Sequence, residues 1–244
     1  MRFFVGLCFI FSLCCCTSYA QEALKPQKFE YQVFTKGVNQ IDKAELFILM
    51  EGAYYIAQYD DSASEEIGGS TTSVMDPTTK MRICYDTKSD SIFTYGIMKS
   101  VHPEGVIICE KREKIQWKLM DSTQIINGHT CKLATGRFRG RNYIAWYDPQ
   151  LKTKAIGPWK LHGLPGIIVY AYDEENYISF KLIKHQLIPN DEAPNLRIDT
   201  NLAMVSRAEH RAYQEKVFKR MKNVDAPEGF TIKIDVKVEH LERN

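Results

Sequence analysis

Apolar and polar residues alternate along much of the chain with a period of two. Phe29, Tyr31 and Val33 are separated by Glu30 and Gln32, the signature of a strand buried on one face. Residues 44–50 and 53–59 form two apolar and aromatic runs with Glu51-Gly52 between them, which predicts a hairpin. Short strands are expected at 81–85, 91–97, 105–110 and 114–120. Asn127-Gly128 marks a tight turn, and Arg139-Gly140 marks a second one between runs at 131–137 and 141–147. The clearest hairpin joins 167–172 to 177–185 through Asp173-Glu174-Glu175-Asn176. Residues 60–80 and 188–200 lack periodicity and are expected to be loops. A single helix is expected from Ser206, where Ser206-Arg207-Ala208-Glu209 has the form of a capping box. Ala208, Ala212, Val217 and Met221 would form its apolar side, widened by Tyr213 and Phe218. Asn223 and Pro227 mark its end, and an alternating strand at 230–238 would follow. The pattern is that of a mainly β chain: a large antiparallel curved sheet or partial barrel with one helix in its C-terminal region.

The first twenty residues read as an address rather than as structure. Arg2 precedes an apolar run from Phe3 to Leu13, and Ser18-Tyr19-Ala20 places small residues before a cut at Gln21. This is a secretory signal pattern, too short for a spanning helix of about 20 residues. Cys14-Cys15-Cys16 raises the alternative of an acylated lipoprotein cysteine, but Leu13 fits poorly before such a cut. The expected organisation is a signal peptide over 1–20 and a single β-rich domain over 21–244. The mature chain is expected in the periplasm or at the outer membrane, with no transmembrane segment.

Charge narrows the partners. Lys and Arg total 32 against 30 Asp and Glu, a balance that offers nucleic acid no basic footprint. Of the seven cysteines, Cys84, Cys109 and Cys131 lie beyond the signal. An odd number allows at most one internal disulfide; three free thiols buried in strands is an equal alternative.

The most unusual segment is Gly157-Pro158-Trp159-Lys160-Leu161-His162-Gly163-Leu164-Pro165-Gly166, dense in Gly and Pro and placed directly before an apolar strand. Pro165 and Gly166 suit the two central positions of a type II turn, with Gly166 at positive φ. Trp159 and Leu161 could anchor the loop on the sheet. The run Gly163-Leu164-Pro165-Gly166-Ile167-Ile168 resembles the hexapeptide that names the GLPGLI family of exported Bacteroidota proteins. The stretches from Asn127 to Ala134 and from Phe138 to Tyr147, followed by Gly157-Pro158, resemble that family's upstream motifs in the same order. The similarity spans about 117–185, with Ile167 in place of a leucine. It implies a signal-bearing envelope protein, with no catalytic residue to carry over.

Candidate chemistry is sparse. The six histidines, at 102, 129, 162, 185, 210 and 240, show no helical i, i+4 pair, and no C-x-x-C, nucleophile-elbow or phosphate-loop motif occurs. No catalytic, metal or cofactor site is therefore expected. His162 stands in the signature loop beside Trp159. His129 and Cys131 share a strand face, giving a thiol-based alternative. Asp173, Glu174 and Glu175 are expected as a solvated hairpin tip, and Arg137, Arg139 and Arg141 as a solvated face. Trp146, Tyr147, Trp159 and Tyr170, with His162, form the candidate ligand or partner surface: aromatics on the concave side of a curved sheet would make an apolar pocket. Two functions are compatible with this. One is a binding, carrier or outer-membrane accessory module that holds an apolar small molecule or an outer-membrane protein. The other is an envelope hydrolase or thiol-dependent enzyme that uses His162 or Cys131.

Overall fold

The computed structural model describes residues 25–36, 40–58, 81–95, 105–195, 201–222 and 242. The expected signal segment, the 60–80 loop and the 230–238 strand lie outside them. Twelve strands form one curved open sheet. The first meander contains β1 (Gln27–Thr35), β2 (Gln40–Ile48), β3 (Gly52–Gln58), β4 (Met81–Asp86), β5 (Ser91–Tyr95) and β6 (Val106–Lys111). The second contains β7 (Gln116–Ile126), β8 (His129–Phe138), β9 (Arg141–Asp148), β10 (Ile167–Asp173) and β11 (Ile178–Leu187). Antiparallel pairing of β1 with β11 joins the two meanders. A short β12 (Ala203–Ser206) then adds to β6 in parallel, which the sequence pattern did not indicate.

The period-two pattern has the expected consequence: one sheet face is apolar and buried. Phe29, Tyr31 and Val33 of β1, Tyr143, Ala145 and Tyr147 of β9, and Phe180 and Leu182 of β11 share one core. That core also includes Ile156, Trp159, Leu161 and Leu164 from the long β9–β10 connection. The sheet curls around this connection. Tyr31 donates to the Ile168 carbonyl at 2.7 Å, Gln27 donates to that of Lys152 at 3.2 Å, and the Tyr85 hydroxyl donates to that of Trp159. The first meander is thereby tied to β10 and to the β9–β10 connection.

The two turn signals act as read. Asn127-Gly128 and Arg139-Gly140 take left-handed φ values of 48° and 81°, and 50° and 76°. The helix α1 (Arg207–Lys222) carries its capping box: Ser206 N–H donates to Glu209 Oε2 at 2.7 Å, and Glu209 N–H to Ser206 Oγ at 3.2 Å. The N-terminal part of its expected apolar stripe is not the buried side, and Val217 is half-buried. Ala208, Ala212 and Tyr213 are exposed, whereas His210 is buried where α1 meets β12 and β6. The helix docks by its first turns at the sheet edge, so a full apolar face is not demanded. None of the described helices is long and apolar enough to cross a membrane.

Candidate functional site

The signature loop is built as a plug. Trp159 is 3% exposed, stacks on Phe180 with ring centroids 6.4 Å apart, and meets Phe138 edge-on. Gly163 takes φ +95°, and the Trp117 indole lies against it and donates to the His162 carbonyl at 2.7 Å. Gly166, expected at positive φ, does not adopt it. It is glycine for a different reason: a Cβ there would overlap the carbonyl oxygen of Asp148, where the two ends of the connection cross. The type II turn at Pro165-Gly166 is replaced by a close backbone crossing.

Neither proposed reactive residue presents its chemistry to solvent. His162 is 5% exposed, and its ring nitrogens lie 2.8 Å from the Lys160 carbonyl and 2.7 Å from that of Glu113. Burial holds its pKa below the ordinary imidazole value even though both carbonyls favour the cation. Cys131 is fully buried, and its thiol faces the His129 carbonyl at 3.5 Å rather than the ring. Burial, with Asp148 nearby, pushes the thiol up to about 11, far from a nucleophile's range. The His129 ring pairs instead with Asp148, at 2.9 Å. Cys84, Cys109 and Cys131 form no disulfide, and Cys109 is only half-buried. Among the described residues no group of His, Cys, Asp or Glu could hold a metal ion.

Two charged motifs are corrected. Arg139 and Arg141 are buried, and only Arg137 is solvated. Asp173 is buried as well, leaving Glu174 and Glu175 as the exposed tip. Arg141 pairs with Asp173 at 2.9 Å and lies 4.2 Å over the Tyr177 ring. The other Asp173 oxygen accepts the N–H groups of Tyr177 and Ile178, which closes the β10–β11 turn.

The five candidate surface residues do not converge. Tyr147, Trp159 and His162 belong to the buried face. Trp146 and Tyr170 lie on the opposite face, directly across from each other in the β9–β10 ladder, with Lys181 beside Tyr170 on β11. A bulge between Ile168 and Tyr170 keeps Ile167, Ile168 and Val169 buried and turns Tyr170 outward. Tyr172, two residues on, has its ring 5.3 Å from that of Tyr170. The β7–β8 hairpin tip closes one side, with Asn127 donating to the Leu182 carbonyl at 2.9 Å. The result is an open groove of about 470 Å³ lined by Gln124, Ile125, Ile126, Asn127, Trp146, Tyr170, Tyr172 and Lys181. Ile125 is 73% exposed at its rim. Sequence reasoning missed Tyr172, Lys181 and the hairpin tip. The Tyr170-x-Tyr172 spacing, which places both rings on one face, was the available signal.

No protein-family model matches the chain, and no curated protein sequence matches it. Its backbone is similar to two crystal forms of PNGF-II, at 14% identity and a TM-score of 0.54. The match covers 79% of this chain and 33% of one PNGF-II chain, so this chain spans about a third of that protein's length. An uncharacterized conserved protein from Thermus thermophilus aligns at 11% identity and a TM-score of 0.42, over 75% of this chain and 91% of that one. These similarities concern the fold alone.

Proposed function

We propose that this chain is an exported envelope protein of the GLPGLI type that works as a binding module, holding a partner polypeptide in the Trp146–Tyr170–Tyr172 groove. The groove carries the reading: three half-buried aromatic rings line it, with amide and ammonium groups from Gln124 and Lys181, on the sheet face away from the core. Such a surface combines large rigid contact area with a polar rim, the composition that favours protein contacts. An interior carrier is less well supported, because Trp159, Leu161 and Leu164 occupy the space inside the curl. The enzyme reading draws no support from a desolvated Cys131 or from a His162 whose two nitrogens face carbonyls. Family and export rest on the sequence motifs, and the partner is expected in the outer membrane.

A photo-crosslinking residue placed at Ile125, in the native host, tests this. One defined envelope protein captured from Ile125, and lost when Trp146 and Tyr170 are both alanine, is the expected result. Equal capture from an exposed position far from the groove, such as Met204, would remove the proposal. A small-molecule mass retained through native mass spectrometry of the purified chain would favour the carrier instead.

A further inference from the structure

A second charged centre lies apart from the groove, where four elements and the chain end meet. Glu110 comes from β6, Arg139 from the β8–β9 turn, Lys160 from the signature loop and Arg207 from the start of α1. The side chains of Arg139, Glu110 and Lys160 are only 2%, 6% and 6% exposed. Glu110 holds Lys160 at 2.5 Å through Oε1 and Arg139 Nη2 at 2.8 Å through Oε2. Glu242, beyond the helix, supplies a second, half-buried carboxylate. Its Oε1 lies 2.8 Å from Lys160 Nζ and its Oε2 lies 2.6 Å from Arg207 Nε.

The donors outnumber what Glu110 and Glu242 together can accept. One ammonium and two guanidinium groups carry thirteen N–H bonds by their chemistry, roughly three plus five plus five. Arg139 Nη1 reaches Glu242 only at 3.9 Å and the exposed Glu113 only at 3.5 Å. Arg139 Nε and Nη1 and Arg207 Nη2 are buried with no hydrogen-bond partner among the described residues. A planar carboxylate with two oxygens leaves this donor set under-used. A tetrahedral oxyanion offers more acceptors, spread in three dimensions, and pairs with guanidinium forks.

We propose that Arg139, Lys160 and Arg207 form a binding site for a phosphate-class oxyanion, in which the carboxylate of Glu242 is the resident stand-in. With Glu242 withdrawn, three cations face Glu110 and the rim residue Glu113, and the excess positive charge admits an anion. Lys160 belongs to the signature loop, so the loop supplies a ligand-binding residue as well as the plug.

The test is thermal unfolding of the full chain carrying Glu242→Gln, titrated with inorganic phosphate against chloride at matched ionic strength. Phosphate is expected to raise the midpoint by a few degrees in E242Q and by much less in the unaltered chain. Adding Arg207→Gln should abolish the rise. Glycerol phosphate distinguishes the source: an equal rise means that the site takes a phosphoryl group on a carrier, and a rise with inorganic phosphate alone means a free-anion site. Equal midpoints in phosphate and chloride for E242Q would overturn the proposal. If E242Q does not fold, Glu242→Asp, which keeps the charge on a shorter arm, replaces it in the same titration.

Discussion

The two faces of the sheet use the same residue types for opposite ends. On the inner face Tyr147 is buried in one core with Trp159, which the β9–β10 connection of the same chain carries and which stacks on Phe180. On the outer face Trp146 and Tyr170 stand one residue or one strand away, yet each keeps a ring edge in solvent. The difference is one of cover, not composition: the β9–β10 connection packs against the inner face, whereas the outer face is left as an open groove at Trp146 and Tyr170. An aromatic side chain is thus structural or available according to which side of the pleat it occupies.

The largest expected effects lie on the covered face. Gly166→Ala forces a Cβ into the Asp148 carbonyl, and the backbone there has no room to yield. A loss of at least about 3 kcal/mol is expected in chemical denaturation, at the upper end of overpacking costs. Gly128→Ala is the control: its φ is +81° with nothing within 4 Å, so only about 1 kcal/mol of conformational strain is expected. Equal losses at the two positions would mean that the crossing at Gly166 is not tight. Trp159→Ala is expected to cost about 3–5 kcal/mol, because it removes a buried ring against which Phe138 and Phe180 pack.

Acid should act through the covered face in two separate windows. His162 and His185 both have folded pKa values below the ordinary imidazole value, chiefly through burial. The unfolded chain therefore takes up protons that the folded chain refuses, and stability falls as pH drops below about 6.5. Burial pushes Glu242 upward, but Lys160, Arg139 and Arg207 outweigh it and hold the carboxyl at about 2, from an ordinary 4.5. Its contribution is complete above the ordinary value and is lost as pH falls toward 2, on the order of 3 kcal/mol in total. Denaturation midpoints measured across pH should show both declines. E242Q should shrink the lower one, to which Asp86 and Glu209 also contribute, and leave the upper one; an unchanged acid limb in E242Q would break the assignment.

Much of the sheet was legible because strand periodicity and turn chemistry are local. Asn127-Gly128 and Arg139-Gly140 needed no distant partner to be read as turns. The fate of Arg139 and Arg141 depended on Glu110 and Asp173, which lie far along the chain, and alternation alone suggested a solvated face. Gly166 shows a different limit, since sequence does not distinguish a glycine needed for positive φ from one needed for close approach. The grouping of Trp146 with Tyr147 could have been rejected from sequence: adjacent strand residues point to opposite faces and cannot line one pocket. Tyr170 is harder, because the bulge before it resets the alternation.

The smallest expected stability effect belongs to the outer face, and it is the one most closely tied to function. Trp146 and Tyr170 are half-buried cross-strand neighbours, so replacing either by alanine removes cross-strand contacts at the sheet surface and no fully buried side chain. A cost of about 1 kcal/mol or less is expected for each in denaturant melts. The same substitutions should abolish capture from a crosslinker at Ile125, whereas Trp159→Ala, if it is kept folded at low temperature, should not. A large loss of stability from Trp146→Ala would mean that its ring supports the sheet and is not a contact surface. Retained capture in the doubly substituted chain would mean that the partner is held elsewhere on the molecule. Small cost together with complete loss of binding is the combination that a surface shaped for contact, and not for folding, must give.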